Sequence, residues 1–227
     1  MKKSLITTAL LAAMTMLSPV MADDEFTVTT GDGYDQDRGN YYGFTVSMMD
    51  TFLDATSTSG SALDSFDEVV LNSLSLQRRT EGTPSGNTVY LAVYEYSADA
   101  TTGPFVGVSS NSVTDNAVGG WSTFNFTDVT IDPNKQYQYV FVTTNDAGSL
   151  TSFADYKINS SQFGFEMSNI ASKLPKGDGV YKGNGLNSWA DFYMPNVEVS
   201  LSATPEPTTA TLSLLALAGL CARRRRK

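Results

Sequence analysis

Asn87-Thr88-Val89-Tyr90-Leu91-Ala92-Val93-Tyr94-Glu95-Tyr96 decides the fold. Val89, Leu91 and Val93 share one side of a two-residue period, and Tyr90, Tyr94 and Tyr96 share the other. A 3.6-residue period would scatter both sets, so this stretch predicts a β-strand with one apolar face and one tyrosine face. On that second face, outward tyrosines are good strand formers that pack across neighbouring strands. Working outward, Val69 to Gln77 reads as another strand. Trp121 to Phe126 alternates with Phe124 and Phe126 inward, leaving Trp121 out of phase and facing away from the core. Gln136 to Thr143 is apolar on both faces. Phe163, Phe165 and Met167 alternate again, and Ala190 to Leu201 carries Val197, Val199 and Leu201 on one side. Phe26 to Thr30 and Tyr41 to Met48 supply early strands. Met48 to Ala55 has room for one or two helical turns. Thr56 to Ser61, Thr80 to Gly86 and Asp178 to Asn187 read as loops.

Eight to ten short strands with regular turn signals and little helix predict an all-β fold: a single antiparallel, two-sheet β-sandwich, jelly-roll-like. Its predicted core contains Val89, Leu91, Val93, Phe124, Phe126, Val140 and Val142.

The two ends of the 227-residue chain differ from this middle. Lys2 and Lys3, an apolar run from Leu5 to Leu17, Pro19 and the small-residue site ending at Ala22 have the grammar of a secretory signal peptide, residues 1–22. Cleavage by signal peptidase is expected after Ala22. The run is shorter than the ~20 residues a span needs, which disfavours an uncleaved anchor. At the other end, residues 204–227, Pro205-Glu206-Pro207 precedes an apolar stretch from Ala210 to Ala222. Arg223, Arg224, Arg225, Arg226 and Lys227 follow. Thirteen helical residues cover roughly 20 Å against a hydrocarbon core of about 30 Å, a marginal span suited to transient inner-membrane anchoring. The basic cluster is expected on the cytoplasmic side, placing the preceding domain outside the inner membrane.

This three-part tail resembles a PEP-CTERM sorting domain. The resemblance covers about a tenth of the chain and carries Pro205, Glu206, Pro207 and Arg223 to Arg226 as its sorting motif. It implies export in a Gram-negative bacterium and processing near Pro-Glu-Pro by an exosortase-type protease. It also implies a cell-surface or extracellular-matrix destination linked to exopolysaccharide. It does not assign an activity to residues 23–203. The cadence of that domain is similar to accessory β-sandwich modules of such proteins, and more loosely to carbohydrate-binding modules; neither similarity transfers a binding residue.

Composition narrows the activity. The chain has no His and one Cys. That excludes a Ser-His-Asp triad, a Cys-His pair, an internal disulfide and zinc sites that need imidazole or several thiols. The lone Cys221 lies in the apolar stretch and reads as a small apolar residue. Seven of the 15 bases and one of the 24 acids lie in the two ends, so residues 23–203 carry a net charge of −15. Such a domain repels nucleic acid and suits neutral polysaccharides, cations or basic partners.

Three chemistries remain. A carboxylate pair could hydrolyse glycosides. However, the domain's six Glu (Glu25, Glu68, Glu81, Glu95, Glu166 and Glu198) fall in no Glu-x-Asp-x-x-Glu string. Asp64, Asp67 and Glu68 read as a solvated edge, so no catalytic residue is assigned and the domain is expected to be non-catalytic. Asp32, Asp35, Asp37 and Asn40 lie in a Gly-rich stretch read as a loop, offering the hard oxygen ligands that Ca²⁺ takes; their spacing is not that of an EF-hand. Apart from that candidate Ca²⁺, no cofactor is expected. Finally, Trp189 follows the loop that contains Tyr181, Asn184 and Asn187, and it precedes Asp191. A flat ring beside amides and a carboxylate is the equipment for stacking on a sugar and holding its hydroxyls. Trp189 is the first choice of platform, with Trp121 and the tyrosine stripe behind it. The expected function is therefore that of an exported surface or matrix protein with a non-catalytic sandwich, glycan-binding or purely structural. The alternative is a polysaccharide-acting enzyme using a carboxylate pair.

Overall fold

The computed structural model describes residues 24–30, 35–48, 53–96, 103–146, 162–169, 179–181, 189–190 and 193–203. The stretch around Val89 forms strand β6 (Thr88–Glu95), with Val89, Leu91 and Val93 buried on one face. Val69–Gln77 forms β5, whose Leu71, Leu74 and Leu76 are buried. The fold is an antiparallel β-sandwich, jelly-roll-like in the way the chain passes repeatedly from one sheet to another. No α-helix occurs among the described residues, and none of their helices is long and apolar enough to cross a membrane. Residues Asp24–Ala203 form one compact unit. The segments read as signal peptide and sorting tail lie outside the described residues.

The first sheet runs β10 (Thr130–Ile131), β5, β16 (Val197–Ala203), β1 (Asp24–Thr30), β4 (Leu53–Ser57), with β9 (Trp121–Asn125) also on β5. The second runs β14 (Trp189–Ala190), β13 (Gly179–Tyr181), β3 (Gly43–Ser47), β11 (Gln136–Val142), β6, β7 (Phe105–Val108). A short β8 (Val113–Thr114) also pairs with β6. Two sheets were expected; a third, small one joins them, with the order β15 (Tyr193–Pro195), β12 (Phe163–Asn169), β2 (Asp35–Tyr41). All named pairings are antiparallel.

One apolar cluster draws on all three sheets. Phe26, Val28, Leu74, Val199 and Phe124 come from the first, Phe44, Leu91 and Phe141 from the second, and Phe163, Phe165 and Met167 from the third. The aromatic rings interlock. Phe141 lies 5.2 Å from Phe163 and 6.0 Å from Phe124, and Phe44 lies 5.8 Å from Phe165.

The structure corrects several expectations. Val140 and Val142 are buried, but in a second cluster with Ala92 and Tyr94 on the opposite face of their sheet. The main core takes Tyr137, Tyr139 and Phe141 from β11 instead. The register explains this. Val140 pairs with Ala92 and Gln138 with Tyr94, so the even-numbered residues of β6 and β11 share the outer face. For the same reason the tyrosine face is not solvent-exposed: Tyr94 is buried, and Tyr90 and Tyr96 are half-buried. A strand covered on both sides reads as a continuous apolar run, as Tyr139 to Val142 does. Leu53–Ser57, placed partly in a helical turn and partly in a loop, is strand β4, because it pairs with β1 from Phe26↔Ser57 to Thr30↔Leu53. Asp178 to Asn187, read as a loop, holds strand β13, because Val180 pairs with Phe44. Ala190 to Leu201 is divided among β14, β15 and β16, one in each of the three sheets.

The unit begins and ends side by side: Asp24 on β1 pairs with Ala203 on β16. Hydroxyls cage the Asp24 carboxylate. Ser57 donates to Oδ1 at 2.7 Å and Thr58 at 3.0 Å, the Ser59 amide donates to the same oxygen at 3.1 Å, and the Ser59 hydroxyl donates to Oδ2. These donors, Ser59 foremost, hold the carboxyl well below the usual aspartate range.

Phe124→Ala is expected to cost about 3–5 kcal/mol, the range for an aromatic truncated in a core. For a domain of this size, that lowers the melting temperature by about 6–20 °C, read by thermal unfolding followed by circular dichroism. Asp24 gives a pH-dependent counterpart. Its folded-state value is depressed, so its contribution is present above the ordinary aspartate value near 4 and fades as the pH falls below it. Asp24→Asn should melt below wild type at pH 7, with the gap closing as the pH is lowered from about 4; a gap unchanged at pH 3 would refute the cage.

Candidate functional site

The hairpin β13–β14 is the part of the predicted glycan site that the structure describes. Val180 pairs with Ala190 and Tyr181 with Trp189, so the two aromatic residues are directly opposed in register. Opposed Cα atoms in such a pair are about 4.5–5.5 Å apart. The hairpin joins its sheet through Gly179↔Thr45 and Val180↔Phe44, and β14 is the last strand in the sheet's order. Asn184, Asn187 and Asp191 lie outside the described residues.

The candidate Ca²⁺ ligands are arranged differently from the loop the sequence suggested. Asp35, Asp37 and Asn40 are on strand β2, paired in register with Asn169, Met167 and Gly164 of β12. Strand pairing spaces them along an extended backbone, whereas a calcium loop must curl its oxygens round one point. Asp32 lies outside the described residues, as do Pro205, Glu206, Pro207 and Arg223 to Arg226. Among the described residues no three His, Cys, Asp or Glu side chains form a group that could hold a metal ion.

Sequence reasoning missed a buried polar cluster at the end of β5. Arg79 and Asp115 form an ion pair, Nη2 to Oδ2 at 3.2 Å, with side chains 7% and 0% exposed. Asp115 Oδ2 also accepts the backbone N–H of Ser85 at 2.8 Å and of Gly164 at 3.2 Å. The buried Glu166 accepts the N–H of Thr80. A Cβ at Gly164 would lie 2.7 Å from the Arg79 guanidinium carbon, so any larger residue would push the guanidinium from its place beside Asp115. These groups fasten the Thr80 to Gly86 loop and β12 to the end of the first sheet. Asp115 Oδ1 and Arg79 Nε are buried without hydrogen-bond partners, as are both amide atoms of Gln138 on β11. The only hint in the sequence was a pair of adjacent arginines in an acid-rich domain. The partners are 30 to 86 residues apart, and no spacing rule links them.

Trp121 faces outward from β9, as its phase predicted, and is 49% exposed. It therefore does not plug the end of the sandwich. Phe124 and Phe126 on the same stretch are buried. Asp64, Asp67 and Glu68 are exposed, in agreement with a solvated edge.

Comparison with protein-family models, with curated proteins and with solved structures finds no match for this chain.

The buried ion pair makes a direct prediction. Asp115→Ala leaves the Arg79 guanidinium buried beside no carboxylate at that position, and removes the acceptor for two backbone N–H groups. The expected loss is about 3–5 kcal/mol, measured by denaturant unfolding. A loss below about 1 kcal/mol would show that water or a rearranged loop replaces the pair.

Proposed function

We propose that this chain is an exported cell-surface or extracellular-matrix protein whose β-sandwich is non-catalytic and contacts glycan. The observation that carries the glycan reading is the register of β13 and β14, which sets Tyr181 directly opposite Trp189 on the last strands of a sheet. Two aromatic residues opposed in register are of the residue type that stacks on a sugar ring, and Asn184, Asn187 and Asp191 are close in sequence to supply polar contacts. The strong negative charge supports a neutral glycan over an anionic one. Asp115, paired with Arg79, and Glu166 are fully buried, which supports binding over hydrolysis by either carboxylate. The proposed route follows the sequence grammar: signal peptidase cuts after Ala22, residues 210–222 anchor transiently in the inner membrane, and an exosortase-type protease cuts near Pro205-Glu206-Pro207.

A glycan array and a reducing-sugar assay on the full-length protein test the activity. Binding without sugar release is the expected result; sugar release would replace this reading with a glycanase. Intact mass of the protein from a surface fraction of its native host tests the route. A chain starting at Asp23 and lacking Arg223 to Lys227 is expected, and recovery of peptides containing those basic residues from that fraction would overturn it.

A further inference from the structure

The solvent face of the first sheet has a composition that folding alone does not require. Strand alternation puts Leu74, Leu76, Phe124, Val197, Val199 and Val28 inward. It turns Trp121, Gln77, Ser75, Thr123 and Glu198 outward, and the register aligns these residues in rows. Trp121 pairs with Gln77; Thr123 pairs with Ser75, which pairs in turn with Glu198, and Glu198 pairs with Thr29. The next row is Asn125, Ser73, Ser200 and Thr27. Several of these groups are held in place. The Asn196 amide donates to Gln77 Oε1 at 2.8 Å, leaving Gln77 Nε2 as an oriented donor next to the indole, and the hydroxyls of Ser75 and Thr123 bond each other at 2.8 Å.

An indole half in water at the corner of such a face costs exposed apolar area, and Val118, 47% exposed, adds to it. The approach is open. Gly119 and Gly120, immediately before Trp121, have φ values of +73° and +72°, and a side chain added at either would meet nothing within 4 Å. Their left-handed turn holds Arg78 N–H on Gly120 O at 2.8 Å and Gly119 N–H on Arg79 O at 2.7 Å, which fixes where β9 and its tryptophan begin. The outward positions of β1, β4, β5, β9 and β16 include the carboxylates of Glu25, Asp54 and Glu198 and no Lys or Arg. An anionic polymer would be repelled, and an uncharged one would not.

We propose that this face is a second glycan-contacting surface, distinct from the β13–β14 hairpin, on which an uncharged pyranose chain stacks on Trp121 and hydrogen-bonds to Gln77, Ser75, Thr123 and Glu198. This rests on the glycan-binding reading above and adds to it a site and a substrate class. The indole covers the apolar face of one sugar ring, and the rows of amide, hydroxyl and carboxylate groups meet the hydroxyls of the next rings along the chain.

Affinity electrophoresis of the full-length protein in mild detergent, through gels containing a neutral β-glucan or xylan or the anionic polymer alginate, tests it. Wild type should be retarded by a neutral gel and not by alginate. Trp121→Ala should lose about tenfold or more in apparent affinity, Trp121→Tyr should recover most of it, and the melting temperature of both should match wild type. Gln77→Ala should weaken retardation as well, and it keeps the test decisive if Trp121→Ala melts early. Retention of Trp121→Ala equal to wild type, with loss in Trp189→Ala, would overturn this site and leave the hairpin reading standing. Wild type passing unretarded through every neutral gel would overturn both. A change in sedimentation with Trp121→Ala and no change in retardation would assign the indole to self-association instead.

Discussion

Phe141 meets a ring from each of the three sheets. Besides Phe163 and Phe124 it lies 6.0 Å from Phe165 and 6.3 Å from Phe44. Short strands paired only by backbone hydrogen bonds would not hold three sheets at fixed angles; interlocked rings do, because each ring fits in few orientations. Phe163 and Phe165 make the small sheet a wall of the same core rather than an appendage. The outer faces of β1, β5, β9 and β16 derive their rigidity from this cluster, since each of these strands turns one side toward it.

The buried charges have a different task. A sandwich core is apolar and can be closed along its length by side chains from either sheet, but its ends are closed by loops, which carry backbone N–H groups that need acceptors. Asp115 and Glu166 supply those acceptors to Ser85, Gly164 and Thr80. Arg79 pairs with the Asp115 carboxylate while its guanidinium fills the space left by the missing side chain of Gly164. The arrangement is specific rather than inherently stabilising: a well-packed apolar plug could be as stable but could not satisfy those amides.

Much of the sandwich was legible because β-strands state their two faces in the sequence. Val69 to Gln77, Phe124 with Phe126, and Phe163 with Phe165 and Met167 were all readable from period and composition. Where both faces are covered, the period stops informing. Val140 and Phe141 are both apolar and both buried, and only the register with β6 tells which one meets the main core. Leu53–Ser57 and Gly179–Tyr181 were missed because short segments take their conformation from the partner they pair with, not from their own propensity. Trp121 was legible as outward from its phase against Phe124 alone. The significance of its neighbours was not, because Gln77, Thr123 and Glu198 come from three distant segments that only the sheet brings into rows.

The pairing of Asp24 with Ala203 sets how the unit bears mechanical load. Because β1 and β16 are antiparallel and end together, tension between the two ends peels them apart one residue pair at a time, starting at that pair. Tension between the C-terminal end and a polymer held on the outer face acts along β16, which lies between β1 and β5 and is bonded on both sides. Its hydrogen bonds then share the force, and the strand must slide past two neighbours to yield. The same unit is thus weak as a link in a chain pulled end to end and strong as a clasp pulled between its tail and its face.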